Sequence, residues 1–409
     1  MELLEDWHDL PAEQQPPWLD HAEVAKVRAF LAAQPPLVPV AAVRELSEHL
    51  ARVASGEAFV LQAGDCAEPF GAAAVAGARN KVRIMRRLSA ALEQALGVPV
   101  LRIGRLAGQF AKPRTTPVEV IGGKTIQAFR GLTVNGPAPA EAERRPDPLR
   151  MIAGYNTARL VLGELAVSAR LAPAEGAVDP FWVSHEALLL AYEEPLVRRD
   201  PGTGQRYLLS THLPWIGERT RQLHGAHVAF LGAMANPVAC KIGPGATEDE
   251  VLGLCAKLNP ERQPGRLTLI ARMGAGMVED RLPALVRAVS AAGHPVIWMC
   301  DPMHGNQVRT SSGVKTRRVT DIVDELRAFT EIICSFGEWP GGIHLEVAGE
   351  DVTECLWGDE QENGQQFLGA YRSLCDGRLN NAQASYTVDQ MAEFITEGRT
   401  RQRAYASYR

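Results

Sequence analysis

The sequence predicts a closed (β/α)8 barrel, a TIM barrel carrying a short helical N-terminal extension. Two observations predict it. From about residue 56 the chain alternates short apolar runs with stretches of helical periodicity, and eight such runs can be marked. Almost every run ends in chemically active residues, in order GDC, GR, HE, TH, K, R, DPMH and E. A closed barrel brings eight strand ends to one mouth, whereas an open doubly wound sheet has no common mouth. The G-x-G-x-x-G turn of dinucleotide binders is also missing after the first run.

Taken in order, residues 1–55 form the extension. Pro16, Pro17, Pro35, Pro36 and Pro39 interrupt it, and Ala22–Ala33 and Val43–Val53 have the apolar spacing of helices. Residues 56–409 form the barrel. Its expected strands are Ala58–Gln62, Pro99–Ile103, Phe181–Ser184, Tyr207–Ser210, Pro237–Ile242, Leu267–Ala271, Pro295–Met299 and Gly342–Val347; the fourth is the weakest pattern. Thr247–Leu258 reads as a helix, because Thr247 and Glu250 have capping-box spacing ahead of Val251, Leu254 and Leu258.

Composition narrows the function. Hydrophobic residues make up 46% and charged residues 22%, which suits a globular chain with a large core. A net charge of -5 offers no global attraction to nucleic acid or anionic membrane, so neither is an expected partner. No segment approaches the roughly 18 apolar residues that span a bilayer. The acidic start MELLEDWHDL lacks the features of a secretory signal. Seven scattered cysteines without a C-x-x-C pair argue against a disulfide framework or a zinc ribbon, and the expected location is the cytoplasm.

Local charge is more informative. Arg105, Lys112 and Arg114 follow the second run, Arg219 lies in WIGERTRQ, Lys241 ends the fifth run and Arg272 follows the sixth. If these ends converge, the cations repel one another unless an anion joins them. Guanidinium forks match phosphate and carboxylate oxygens, so a ligand set with two phosphates and a carboxylate balances the cluster. The alternative is that each base pairs with a neighbouring acid.

Cys66, His304, Glu346 and Asp376 also sit at strand ends or in the final loop. A thiolate, an imidazole and two carboxylates suit Mn, Fe, Co or Zn better than Mg or Ca. None of the spacings is a metal signature, and His185–Glu186, His212, His344, Cys300 and Cys375 compete for the same chemistry. For these, packing or hydrogen bonding around a site is the simpler reading.

At these residues the sequence resembles the type II (plant-like) 3-deoxy-D-arabino-heptulosonate 7-phosphate (DAHP) synthases. The blocks run from about Glu57 to Asn380: LQAGDCAE, GRLAGQFAKPRT, VSHEALLLAYE, WIGERTRQLHGAH, NPVACKIGP, RLTLIARMG, VIWMCDPMHGN, GGIHLEVAGEDVTEC and CDGRLN. The resemblance implies a metal-dependent transferase that condenses phosphoenolpyruvate with erythrose 4-phosphate at the entry to the shikimate pathway. It implies metal ligation by Cys66, His304, Glu346 and Asp376, with Mn2+ the usual ion and Co2+ or other divalent ions tolerated. It carries phosphoenolpyruvate binding to Arg105, Lys112, Glu218, Arg219, Lys241 and Arg272, and the aldehyde-phosphate cradle to Lys112–Thr115, including Arg114 and Thr115. Lys112 and Glu218 take the catalytic roles, as proton donor and water-positioning group. A homo-oligomer is expected.

Four departures from the family pattern stand out. Ala63 precedes Gly64 where two glycines are usual, Thr115 replaces Ser, Gly377 replaces Pro, and Leu132 stands where an acid is common. The last raises the alternative of a different aldehyde phosphate, as in 3-amino-DAHP synthase. A catalytically inactive barrel acting as a binding subunit is the remaining alternative. Between Arg150 and Ser184 there is no room for the extra helices that serve aromatic feedback in long members. That compact form is similar to members of phenazine and other secondary pathways, so insensitivity to aromatic amino acids is expected.

Overall fold

The structure is a computed structural model and describes residues 7–170, 180–311, 313–358 and 370–406. Eight parallel strands form the barrel: β1 (Phe59–Gly64), β2 (Val100–Arg105), β3 (Phe181–Glu186), β4 (Leu213–Ile216), β5 (Val238–Ile242), β6 (Leu267–Ala271), β7 (Val296–Cys300) and β8 (Pro340–Glu346). Each pairs with its sequence neighbour, and β8 closes on β1 with Val60 opposite Gly342 and Gly64 opposite Glu346. Outside the barrel lie α3 (Ala72–Leu96), α4 (Arg150–Arg170), α5 (Ala226–Gly232), α6 (Glu248–Leu258), α7 (Val278–Ala291), α8 (Val319–Ser335) and α9 (Asn381–Ala406); α1 (His21–Ala32) and α2 (Val40–Ala54) precede it. No helix among the described residues is long and apolar enough to cross a membrane.

Seven of the eight predicted runs coincide with barrel strands to within two residues. The fourth does not. Arg206–Leu208 pairs antiparallel with Val197–Arg199 in a separate hairpin, and Leu213–Ile216 takes the barrel position. The physical reason is where the backbone bonds go. The N–H and C=O of Leu208 are taken by the Asn236 side chain, at 2.8 and 2.9 Å, and the Leu209 carbonyl accepts from Leu37 and Val38. Leu213 and Trp215 fill the barrel interior instead. The TH pair therefore enters β4 at the closed end, and Gly217-Glu218-Arg219 leaves it at the mouth.

The two-residue period of a strand decides which side chains meet. Phe59, Leu61 and Ala63 of β1, Cys240 of β5 and Cys300 of β7 point outward into the layer shared with the helices. Val60, Ile103, Trp182, Trp215, Ala239, Ile270 and Met299 point inward. Continuing the inward set toward the mouth gives Gln62, Arg105, Glu186, Lys241, Arg272, Asp301 and Glu346. The other end is plugged by α2, whose Leu46, Leu50 and Val53 pack against the interior residues. Each such fully buried side chain contributes roughly 1.5–3 kcal/mol. The capping box predicted for α6 is present: Thr247 Oγ1 accepts from Glu250 N at 3.2 Å and Glu250 Oε2 accepts from Thr247 N at 3.1 Å.

Candidate active site

A cavity of about 1140 Å³ opens at the mouth, and every residue expected to bind metal or substrate lines it except Glu346, which lies buried beneath. β1 ends at Gly64, with φ 153°, where a Cβ would fall 2.5 Å from the Arg105 carbonyl oxygen. Only glycine accommodates that approach, and it lets the chain turn into Asp65 and Cys66.

Cys66, Glu346 and Asp376 bring their donor atoms within 4.8 Å of one another. His304 joins them through Glu346, with Nε2 3.1 Å from Oε1. The other ring nitrogen, Nδ1, donates to Asp301 Oδ2 at 2.8 Å, so Nε2 is the ring atom turned to the Glu346 carboxylate. A cation bound there would take the place of a proton on Nε2, and the donor set suits a divalent transition ion. Burial pushes the Cys66 thiol well above its ordinary value. Burial also opposes ionisation of Glu346 and Asp376, but His304, Arg317 and Arg105 hold Glu346 well below the usual carboxylate range, and Lys112 and Arg317 do the same for Asp376. Lys112 Nζ contacts both Cys66 Sγ and Asp376 Oδ2. Burial lowers its pKa, yet Asp376 and the nearby thiols outweigh that and raise it well above normal.

Asp301, His304 and His344 form a second group of possible ligands. His344 is already engaged: Nε2 accepts from Arg105 Nη1, and Nδ1 donates to Gln62 Oε1 at 2.7 Å. Burial, with Lys241 and Arg105 nearby, holds its pKa well below normal, so the ring is neutral. Asp301 is held by Lys241 Nζ at 2.7 Å and by the backbone N–H groups of Met303 and His304. Asp301 therefore orients His304, and His344 orients Arg105. Among the other competitors, His185 points outward and pairs with Glu193 at 2.8 Å. His212 lies at the closed end, where Nδ1 accepts from Val183 N and burial lowers its pKa to about 3. Cys300 faces the helices, and Cys375 hydrogen-bonds with Cys66, which lowers the Cys375 thiol to about 7.

The cations divide into two sets. Arg105 donates to Glu346 Oε1 at 2.9 Å and lies 5.3 Å over the Trp215 ring. Lys241 lies 5.7 Å over the same ring, and burial lowers its pKa despite Asp301. Arg114 pairs with Glu119. Arg219 and Arg272 differ. Arg219 donates to Thr115 Oγ1 at 2.7 Å and Arg272 to the His304 carbonyl at 2.8 Å, but among the described residues neither has an ion-pair partner. Both guanidinium groups stand in the cavity wall without a carboxylate partner among the described residues.

Two carboxylates cross glycines to reach the cavity. Glu218 accepts from Arg221 at 3.1 Å, and a Cβ on Gly243 would lie 3.0 Å from its carboxyl carbon and 2.9 Å from Arg272 Nη1. Glu186 lies over Gly217, where a Cβ would collide with Oε1. Burial raises the Glu186 pKa even though Lys241, His304, Arg219 and Arg105 oppose it, and its buried Oε1 has no hydrogen-bond partner. Sequence reasoning set Glu186 among the competing residues and favoured packing or hydrogen bonding for it; counting two residues on from inward-facing Ser184 is the signal that brings it into the cavity wall. Arg317, fully buried, was missed. It donates through Nε to the Met303 carbonyl at 2.6 Å and through Nη1 to the Gly377 carbonyl, and its Nη1 lies 2.8 Å from Glu346 Oε2.

The departures from the family pattern resolve locally. Ala63 points outward and its methyl packs on the helix layer. Gly377 loses proline's restraint, but its loop is pinned by Arg317 and by Arg378, which donates to Glu354 through N, Nε and Nη2 at 2.8–2.9 Å. Leu132 is half-buried and is absent from the cavity wall, which Phe129 lines instead. Residues 171–179, within the segment read as too short for regulatory helices, lie outside the described residues.

Comparisons with known proteins agree with this architecture. Residues 2–172 and 171–392 match the model of the class-II DAHP synthetase family. A probable phospho-2-dehydro-3-deoxyheptonate aldolase of Pseudomonas fluorescens is 46% identical over 378 residues, covering 92% of this chain and 94% of the relative. The phospho-2-dehydro-3-deoxyheptonate aldolase of Streptomyces coelicolor is 42% identical over 435 residues, covering 96% and 97%. That of Neurospora crassa is 35% identical over 459 residues, covering 98% and 95%. With matches spanning nearly its whole length, the chain belongs to the class-II DAHP synthetase family.

Proposed function

We propose that the chain condenses phosphoenolpyruvate with erythrose 4-phosphate to give DAHP and inorganic phosphate, using a divalent metal held by Cys66, His304, Glu346 and Asp376. The observation that carries this reading is the pair of guanidinium groups, Arg219 and Arg272, that have no ion-pair partner among the described residues and stand in the wall of a cavity lined by Cys66, His304 and Asp376, with Glu346 buried beneath. A dianionic phosphate supplies what the two arginines lack. Mn2+ is the ion proposed, with Co2+ a workable substitute.

When bound, the ion supplies Lewis acidity to the aldehyde oxygen. The remaining chemistry belongs to the chain. Arg219 and Arg272 hold the phosphate of phosphoenolpyruvate, while Arg105 and Lys241 serve its carboxylate. Lys112, Arg114 and Thr115 cradle the aldehyde phosphate. C3 of phosphoenolpyruvate forms the new bond to the aldehyde carbon, and the aldehyde oxygen takes a proton from Lys112 Nζ, which its acidic neighbours keep charged. Water adds to C2 and gives up one proton; the C2 hydroxyl then becomes the keto oxygen, its proton passing to the phosphate as the C2–O bond to phosphate breaks and inorganic phosphate leaves. Glu218 orients that water, and Glu186 lines the same cavity. Holding both anions in one cavity removes the entropic cost of their encounter.

A dedicated role in secondary metabolism, such as phenazine formation, is proposed on the short length of sequence between Arg150 and Ser184, with no inhibition by Phe, Tyr or Trp. The proposed setting is the cytoplasm, with a homo-oligomer as the working form. The deciding experiment is phosphate release by metal-stripped protein, resupplied with Mn2+, from phosphoenolpyruvate and a panel of aldehyde phosphates. Release with erythrose 4-phosphate that depends on Mn2+ is expected. Release only with an amino analogue reassigns the second substrate, and marked inhibition by an aromatic amino acid removes the feedback claim.

A further inference from the structure

The N-terminal segment crosses the outer edge of the mouth, anchored at both sides. Trp7 packs edge-on against Phe230, with ring centroids 5.0 Å apart, and the Pro11 carbonyl accepts from Ala226 N at 2.9 Å. Gln15 ties the segment to the chain after β3: Nε2 donates to the Leu188 carbonyl at 2.7 Å, and Oε1 accepts from Leu190 N at 3.2 Å. Pro16 is buried and Trp18 packs into the cluster around Tyr155 and Leu188.

Between these anchors Gln14 has φ 63°, a left-handed conformation shared by only two other non-glycine residues among those described, Ala107 and Arg262. A side chain adopts this region only where surrounding contacts impose it. Here they impose it toward the mouth. Gln14 Oε1 accepts from the backbone N–H of Arg114 at 2.8 Å, and the Gln14 carbonyl accepts from Arg130 Nη1 at 3.2 Å. Arg130 in turn accepts, through its own carbonyl, from Lys112 N at 2.9 Å. Gln14 thus spans the two supports of the Lys112–Thr115 turn, a turn with no regular secondary structure of its own.

We propose that Gln14 is a positioning residue for the second substrate: it fixes the Lys112–Thr115 turn in the shape that receives the phosphate of the aldehyde. The proposal rests on reading that turn as the aldehyde-phosphate cradle. Gln14 touches no reacting atom, and its effect falls mainly on one of the two anions. The other is held chiefly by Arg219 and Arg272 on the chain after β4 and β6, and meets the turn only through Lys112 and through Thr115, whose Oγ1 accepts from Arg219 at 2.7 Å.

The test compares wild type, Gln14→Gly, Gln14→Asn and Gln15→Ala, each supplied with Mn2+, by steady-state KM for each substrate. Glycine adopts the same φ at no cost and lacks the acceptor. Asparagine tolerates that φ but is one methylene shorter, so it provides a second route to the same loss. Losing one hydrogen bond of this kind is expected to raise KM for erythrose 4-phosphate about tenfold in both Gln14 variants. KM for phosphoenolpyruvate should rise several-fold less, because that site meets the turn only through Lys112 and Thr115, and this also verifies folding. Gln15→Ala, which loosens the strap without touching Arg114, should leave both constants near wild type. An unchanged KM for erythrose 4-phosphate in the Gln14 variants overturns the proposal. So does an equal rise for phosphoenolpyruvate, or the same rise in Gln15→Ala, because each makes the segment a general brace. Wild-type protein that releases no phosphate from the two substrates removes the cradle reading itself, and that failure is seen before any variant is compared.

Discussion

Asp301 Oδ2 serves two groups at once: it accepts from His304 Nδ1 at 2.8 Å and from Lys241 Nζ at 2.7 Å. One carboxylate thus fixes both the tautomer of a proposed metal ligand and the position of a substrate-facing ammonium group. Asparagine in its place offers a weaker, neutral acceptor to both. For Asp301→Asn, metal affinity should fall roughly 10–100-fold, the usual consequence of losing a group that orients a ligand. Equilibrium Mn2+ titration checks this directly. Affinity equal to wild type would make Asp301 irrelevant to the metal.

Glu325 gives a pH prediction remote from the ligands themselves. From α8 its Oε1 accepts from Met273 N and Gly274 N, both at 2.8 Å, and its Oε2 accepts from Asn306 at 2.7 Å. It thereby ties together the loops after β6 and β7, which carry Arg272 and His304. Burial raises its pKa to about 8 against a model-peptide value of 4.5. Between those values the folded chain holds a proton that the unfolded chain releases, so stability falls as pH rises through this window. Urea denaturation at steps from pH 5 to pH 8 should show that decline in the wild type. Glu325→Gln should be less stable overall, because its amide N–H2 faces that of Asn306, but the decline should be shallower. Parallel slopes would remove Glu325 as the source.

The barrel is legible in the sequence because buried parallel strands leave short apolar runs, and a helix such as Thr247–Leu258 announces itself with a cap. β4 is not. Leu213–Ile216 contains Pro214, which argues against a central strand, while Tyr207–Ser210 is as apolar and has no such mark. Only the Asn236 side chain, which occupies the backbone of Leu208, decides between them. At the site, Arg105 and Lys241 are visible as charges at the ends of apolar runs. Glu186 is equally visible, but it reads as one of several acids until the inward direction of Trp182 fixes its side. Arg317 leaves no signal, since its partners are carbonyls and a carboxylate from three distant segments.

Facing direction also separates the cysteines, which sequence alone leaves as competitors. Cys66 lies at the mouth beside Asp376, at 3.4 Å, whereas Cys300 points outward from β7 into the helix layer. A hydroxyl is a much weaker soft-metal donor than a thiolate. Cys66→Ser should therefore weaken Mn2+ binding and, more strongly, binding of softer ions such as Co2+. Cys300→Ser should bind both as wild type does while losing stability, because it buries a hydroxyl among apolar side chains. Paired metal titrations and thermal melts separate the two effects. Equal losses of metal affinity in both variants would mean that neither thiol is a ligand.

Arg317 supplies the most demanding test of how the ligand loops are held. The side chain is wholly buried, and it joins the segment before His304 through Met303, the segment after Asp376 through Gly377, and Glu346 itself. Replacing it with methionine keeps most of the volume and removes every donor. Glu346 then loses one of the charges that hold it ionised, and two carbonyls lose their partners. Breaking a buried charged contact in this way costs roughly 3–5 kcal/mol, so Arg317→Met should melt well below wild type. Mn2+ should bind more weakly as well, because three of the four proposed ligands lose a shared support. Measuring metal affinity at a temperature where the variant is fully folded separates the two consequences. A destabilised variant that still binds Mn2+ as tightly as wild type would show that Arg317 holds the fold alone, with the ligands positioned by the loops that carry them.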